Sequence, residues 1–156
     1  MSESLKRVKK EVIELSLDAD VIEIKTAKSS AEAATEIGCN LEEIAKSIVL
    51  KSQTDKYYLF ICSGIHRVDI KKAGLLINED LKVASASEIR DFTGFAIGGV
   101  SPLGHKNKIK KIYDDYLMSL DLVYAAAGTP KHVLRCKPDQ LLKKTMGIAL
   151  DFIKES

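Results

Sequence analysis

The chain is poor in several residue types that often reveal a protein's class. It has no tryptophan, three prolines and three cysteines among 156 residues. The cysteines, at positions 39, 62 and 136, form no C-x-x-C pair, and neither they nor the three histidines show metal-ligand spacing. This pattern argues against a disulfide framework and predicts reduced thiols, no metal site and no cofactor.

Long apolar runs are absent as well. No stretch approaches the roughly 18 consecutive apolar residues that a membrane span needs. The amino terminus, "MSESLKRVKKEVIELSL", lacks the apolar core of a secretory signal. We therefore expect a cytoplasmic protein with no membrane partner.

The remaining composition is that of an ordinary globular protein, with 46% hydrophobic and 29% charged residues. This length suits one core better than two, so we expect a single domain over residues 1–156. The net charge of +2 does not by itself indicate a nucleic-acid binder. However, residues 105–111, "HKNKIKK", carry four lysines and no acid. Charge alone favours a solvated lysine surface here, with a phosphate-contacting patch as the alternative.

Hydrophobic periodicity and turn signals predict alternating strands and helices. Helices are predicted at 3–17 (within an amino-terminal helical segment 1–19), 29–38, 69–77, 85–94 and 138–147, with a short helical turn after position 40. Strands are predicted at 20–25, 46–52, 56–63, 81–84, 122–128 and 131–136, and 148–156 fits either type. The polar tract "QTD" between the second and third strands indicates a hairpin. We therefore predict an α/β fold with an α+β tendency, in which helices surround a mixed sheet.

The segment "GFAIGGVSPLGH" at 94–105, called the glycine loop below, has four glycines and almost no charge. It matches neither the GxxxxGK[ST] phosphate loop nor a GxGxxG fingerprint after a first strand. What remains is a GxxxP sequence from Gly98 to Pro102. Glycine permits positive φ and close approach of a ligand, so the loop could aim several N–H groups at a carbonyl or oxyanion. A tight connection between sheet and helix is the alternative.

Four ordered segments together resemble the YbaK-type, or prolyl-tRNA-synthetase-associated, editing domains. They are "IAKSIVLK" (44–51), "RVDIKKAG" (67–74), "SEIRDFTGFAIGGVSPLGH" (87–105) and "YAAAGTPKHVLRCKPDQLL" (124–142). The resemblance implies hydrolysis of the ester that joins a small amino acid to the 3′ CCA end of a mischarged tRNA. The tRNA, and an aminoacyl-tRNA synthetase as a further candidate, are the implied partners.

The resemblance also implies site residues. The family's characteristic lysine corresponds to Lys46, which is expected to hold the terminal adenosine or the ester. The GxxxP sequence from Gly98 to Pro102 is expected to surround the carbonyl and the attacking water, and the substrate's ribose hydroxyl is expected to help move protons. The implied catalytic set is Lys46, Gly98, Gly99, Val100, Ser101 and Pro102. The implied substrate-binding set is Ser47, Gly128, Thr129 and His132. The acyl pocket is expected to be lined by 21–31, Ser47 and 81–85.

The tRNA body is expected to meet five lysines near the glycine loop. They are Lys106, Lys108, Lys110, Lys111 and Lys131. Two other functions stay open: a non-hydrolytic module that binds aminoacyl-tRNA or a synthetase, and a hydrolase of another small ester. From the residues alone, Lys46 either points into a cleft or extends outward, and no nucleophile–base pair stands out.

Overall fold

The computed structural model describes residues 1–155 and contains one eight-stranded mixed sheet with helices around it. The helices are α1 (Glu3–Glu14), α2 (Ser30–Ile37), α3 (Ile70–Ile77), α4 (Ala86–Thr93) and α5 (Pro138–Lys144). The strands are β1 (Ala19–Glu23), β2 (Ile44–Ser52), β3 (Tyr57–Ser63), β4 (Leu81–Val83), β5 (Lys110–Asp114), β6 (Val123–Ala126), β7 (His132–Cys136) and β8 (Ile148–Leu150). The predicted α/β fold is confirmed. None of the described helices has both the length and the apolar character of a bilayer span.

The sheet order is β1-β7-β6-β2-β3-β5-β8, and β4 also pairs with β2. The pairs β2/β6, β3/β5 and β5/β8 are parallel, while the other pairs are antiparallel. The predicted β2–β3 hairpin is therefore present, and the sheet is mixed as predicted. β3 lies in the middle of the sheet and is buried on both faces, because its side chains alternate between two apolar clusters.

Local capping explains where the helices begin and end. At α4, Ser85 Oγ accepts from the N–H of Glu88, and Glu88 Oε1 accepts from the N–H of Ser85, as the predicted capping box requires. At α2, Ser29 Oγ accepts from Glu32 N–H, but the Glu32 carboxylate accepts from Lys28 N–H instead of from Ser29. Gly38 and Gly94 end these two helices in the left-handed conformation.

The structure corrects the end of one predicted helix, adds one strand that was not predicted and decides one undecided segment. α1 ends at Glu14, before the predicted end at 17, because Ser16 adopts a φ of 52° and Leu17 turns back into the core. β5 was not predicted, since its first two residues are lysines and the preceding segment is basic. It is nevertheless an interior strand, parallel to both β3 and β8. The undecided carboxyl-terminal run begins with β8.

Asp114 connects the ends of β3 and β5. Its carboxylate is fully buried and accepts from the N–H groups of Ser63 and Tyr116, both at 3.1 Å. A third contact, of 2.7 Å, joins it to His66 Nδ1. Buried N–H groups need such acceptors, so this side chain stabilises the edge of the sheet at which both strands end.

We expect Asp114→Ala to lower the free energy of unfolding by roughly 2–4 kcal/mol, because two N–H groups lose their acceptor. Urea denaturation followed by circular dichroism measures this change. Asp115→Ala is the matched control, since Asp115 is the exposed neighbour of the same charge. Equal stability of the two variants would contradict the assigned role of Asp114.

Candidate functional site

The candidate site lies where one edge of β2 is left open. The other edge of β2 pairs with β3 from Ala45 to Lys51. The open edge meets β6 at Ile44 and Ala45, and meets β4 from Leu50 to Ser52. Within the described chain, residues 46–48 have no strand partner on this edge. A cleft of about 290 Å³ lies along this interruption.

Four segments form the walls of the cleft, and most of the contacting side chains are apolar. They are Ile24 with Ala27–Ser30, the α2 residues Ala33 and Ile37, the glycine-loop residues Ile97, Gly98 and Val100, and residues 124–126 with Thr129, Pro130, His132 and Val133. Residues 44–48 of β2 complete the lining. The expected contribution of 21–31 is therefore present, but the expected contribution of 81–85 is not. β4 joins β2 beyond the interruption, which keeps it out of the lining.

Lys46 lines this cleft from a half-buried position on β2, opposite Cys62 of β3. Among residues 1–155, no carboxylate forms an ion pair with its amino group. Burial, together with a smaller contribution from the charge of Asp114, raises the pKa of the Cys62 thiol to about 12, and the positive charge of Lys46 opposes this rise. The question left open by the sequence is thus answered: Lys46 borders a cleft, and Cys62 is a protonated packing residue.

The glycine loop turns sharply beside Lys46. Gly98 has a φ of 92°, and Gly99 N–H donates to Ala96 O at 3.0 Å, which is the geometry of a type II turn. The N–H group of Gly99 is therefore already hydrogen-bonded within the loop. In the described structure the N–H groups of Gly98 and Val100 have no acceptor, and both residues line the cleft.

The glycine loop also touches the segment after β6. A Cβ added at Gly99 would lie 3.2 Å from the carbonyl carbon and oxygen of Gly128, closer than an ordinary contact. Gly128 itself has a φ of 97°. The fold thus brings together the two segments that the sequence analysis grouped, although Gly99 and Gly128 do not line the cleft.

Ser101 and Pro102 lie behind the cleft. Ser101 is fully buried, and its hydroxyl accepts from Leu103 N–H at 3.1 Å. Its carbonyl oxygen is 2.6 Å from His105 Nε2. Pro102 is also buried. Neither residue lines the cleft, so these two members of the predicted set are in a position to support the loop.

Three predicted polar residues do line the cleft. Ser47 Oγ is buried and has no hydrogen-bond partner among the described residues. Thr129 Oγ1 lies 2.6 Å from His132 Nδ1 and accepts from Lys131 N–H. An unpartnered buried hydroxyl is costly, which makes Ser47 a ready donor or acceptor for a bound polar group.

The five predicted tRNA lysines have different surroundings. Lys106, Lys108 and Lys110 are exposed, while Lys111 is half-buried and its pKa is lowered by desolvation. Lys131 is exposed and borders a depression that shares Thr129, Pro130 and His132 with the cleft. None of the five lines the cleft itself.

Sequence reasoning missed the walls formed by Ile97, Tyr124 and α2. Ile97 carries one usable signal, since a large apolar side chain at the tip of a glycine loop is unusual; here it is 62% exposed. Within residues 1–155, no three His, Cys, Asp or Glu side chains are grouped as metal ligands.

Known proteins resemble this chain along most of its length. The sequence model described as "Aminoacyl-tRNA editing domain" matches residues 24–144. The uncharacterized protein YwhH of Bacillus subtilis is 30% identical over 139 residues, or 88% of each chain. A proline–tRNA ligase of Bacillus licheniformis is 32% identical over 107 residues, which cover 68% of this chain and 18% of the ligase.

A solved structure also resembles this chain over its whole length. A protein described as a candidate trans-editing enzyme for prolyl tRNA synthetase is 35% identical and superposes with a TM-score of 0.92, covering 100% of this chain and 99% of the other. These similarities accompany a cleft to which three of the four segments that carried the sequence resemblance, 44–51, 87–105 and 124–142, contribute. The chain belongs to the aminoacyl-tRNA editing domain family.

Proposed function

We propose that the protein hydrolyses the ester bond between a small amino acid and the 3′ end of a mischarged tRNA. One observation carries this proposal: Lys46, Gly98 and Val100 line the same small cleft, and among the described residues neither the Lys46 amino group nor the N–H groups of Gly98 and Val100 have a hydrogen-bond partner. The Lys46 amino group can hold an anionic or hydroxyl-rich ligand, and the two N–H groups can stabilise a developing oxyanion.

In the proposed reaction, water attacks the ester carbonyl and the negative charge of the tetrahedral intermediate lies on the former carbonyl oxygen. The N–H groups of Gly98 and Val100 bind that oxygen. The attacking water gives up one proton, which the substrate's neighbouring ribose hydroxyl relays. The intermediate then collapses, the bond to the 3′ oxygen breaks, and this oxygen takes up that proton. Lys46 binds the terminal ribose or its phosphate and keeps the ester beside the loop. Such positioning accounts for a large part of many enzymatic rate enhancements.

The size of the cleft supports a small acyl group. Its volume of about 290 Å³ is near the lower limit of common ligand sites, which is about 300 Å³. Alanine, serine, cysteine and threonine are therefore the side chains to test. A synthetase separates amino acids that differ by one methylene by only about 1–3 kcal/mol, so charged errors of this size need later removal.

The test is a panel of tRNAs charged with each of these four amino acids, incubated with the purified protein while ester loss is followed. A tRNA for proline is the first choice, because relatives of this chain include a proline–tRNA ligase. Loss of one or more esters supports the proposal. Binding without ester loss would indicate a non-hydrolytic module, and cleavage of a simple acetate ester alone would indicate a different hydrolase.

The tRNA body is proposed to contact the exposed lysines that follow the glycine loop. The double variant Lys106→Gln/Lys108→Gln should flatten the dependence of log K on log salt by about 1.5, because each lost phosphate contact removes roughly 0.7–0.9 from the slope. Filter binding of uncharged tRNA over a salt series measures it. Lys71→Gln/Lys82→Gln, which removes the same charge from exposed sites elsewhere, is the control and should keep the slope. An unchanged slope in the first variant would assign tRNA to another surface.

A further inference from the structure

Helix α1 lies outside the matched segment 24–144, yet it touches both loops beside the cleft. A Cβ at Gly104 would lie 2.7 Å from the backbone nitrogen of Val8. One at Gly128 would lie 2.9 Å from the backbone carbonyl of Ser4. The backbone of α1 therefore packs directly on the end of the glycine loop and on the segment after β6.

Arg7 of α1 binds both ends of the glycine loop. Its Nη2 donates to Gly94 O at 2.7 Å, and its Nε donates to Gly104 O at 2.8 Å. Gly94 and Gly104 both have positive φ, near 80°. One planar guanidinium thus fixes the separation and direction of the two points at which the loop leaves and rejoins the fold. A lysine ammonium lacks this fork geometry.

A second path leads from Arg7 to the middle of the loop. The guanidinium carbon lies 5.1 Å from the ring centre of the buried Phe95, and the ring centres of Phe95 and His105 lie 5.0 Å apart in an edge-to-face arrangement. His105 Nε2 is 2.6 Å from Ser101 O, and because a carbonyl only accepts, Nε2 carries the proton. Desolvation lowers the pKa of His105 to about 4, so the ring is neutral at neutral pH. The series of contacts from Arg7 through Phe95 and His105 therefore ends at Ser101, the residue after Val100.

We infer that Arg7 is a positioning residue, which holds the glycine loop so that the N–H groups of Gly98 and Val100 point into the cleft. The catalytic part of this inference, that the alignment of the loop speeds deacylation, rests on the proposed function. The mechanical part, that Arg7 holds the loop in place, does not. Arg7 does not line the cleft. It acts through Gly94, Gly104 and the Phe95–His105 pair.

Hydrogen exchange of the full chain, without ligand, tests the mechanical part. In Arg7→Gln, amides in peptides that cover 94–105 should exchange at least about tenfold faster, because two charge-assisted hydrogen bonds are lost. In Arg7→Lys, exchange should still be faster than in the original protein. Peptides that cover β3 should not change. Lys10→Gln, an exposed charge on the same helix, is the matched control. Unchanged exchange at 94–105 in both Arg7 variants, or equal acceleration in β3, would overturn the inference.

Single-turnover deacylation tests the catalytic part. Arg7→Lys should lower the rate constant at least about tenfold while the Kd for tRNA stays within about twofold, because alignment and not binding is lost. Lys10→Gln should keep the rate constant. A lower affinity with an unchanged rate constant would make Arg7 a tRNA contact and overturn its positioning role. If the original protein deacylates no tRNA, the proposed function fails, and hydrogen exchange still decides whether Arg7 holds the loop.

Discussion

Replacing Lys46 by alanine is expected to reduce tRNA deacylation by at least about 100-fold, as does removal of one preorganised charge-stabilising group in other enzymes. The melting temperature should change little. Lys46 forms no ion pair within residues 1–155, and its charge borders a cleft, so the folded state loses no paired partner when the side chain is shortened. The reaction, by contrast, loses the cation that holds the tRNA end beside the glycine loop.

The measurement is single-turnover ester loss with saturating enzyme, combined with thermal unfolding. Lys82→Ala removes an exposed lysine from β4 and is the matched control for the loss of one charge. Lys46→Arg separates charge from geometry, because a guanidinium keeps the charge but places its donors differently. A large fall in stability together with retained activity would make Lys46 a structural residue and contradict the assignment.

Gly98→Ala is expected to lower the same rate constant by about 10²–10³-fold, comparable to the loss of one oxyanion donor. Gly98 has a φ of 92°, which a residue with a Cβ adopts only at a cost of about 1–2 kcal/mol. The space around a Cβ at this position is open. The substitution therefore acts through the backbone, which relaxes to another φ and redirects the N–H groups of Gly98 and Val100.

Ser101→Ala is the matched control inside the same loop. The Ser101 hydroxyl is buried and serves Leu103 N–H, so its removal should cost stability, about 1–3 kcal/mol. It should leave the rate constant of the folded enzyme nearly unchanged. An inactive but folded Ser101→Ala beside an active Gly98→Ala would reverse the assignment, giving the chemistry to the hydroxyl and a purely structural role to the glycines.

The ends of α4, the β2–β3 hairpin and the turn in the glycine loop were predictable because each depends on residues near one another in the sequence. Ser85 and Glu88 cap α4 across three residues, and Gly94 ends the same helix. The type II turn at Gly98 is equally local. The grouping of Lys46 with the GxxxP sequence and with Gly128 and Thr129 came from resemblance to a family, since no local pattern relates residues so far apart.

Strands and cleft-lining residues could not be predicted from local sequence where they depend on contacts with segments distant along the chain. β5 begins with two lysines, and it is a strand because β3 and β8 offer parallel partners on both edges. β4 was expected beside the acyl pocket, but its register with Leu50–Ser52 places it beyond the interruption in β2. The difference between Gly98 and Gly99 is also visible only in the tertiary structure. The N–H group of Gly99 donates to Ala96 O, whereas that of Gly98 has no acceptor among the described residues.

By itself, the sequence determined most of the helices and strands, the cap of α4 and the presence of a glycine-rich, uncharged loop with a GxxxP pattern. These features follow from backbone sterics and short-range hydrogen bonds, which act over a few residues. The tertiary structure alone decided that one edge of β2 is open at Lys46, and that Arg7 of α1 binds both ends of the glycine loop. Such contacts join residues about 90 positions apart, and only the packing of the complete sheet brings them within hydrogen-bonding distance.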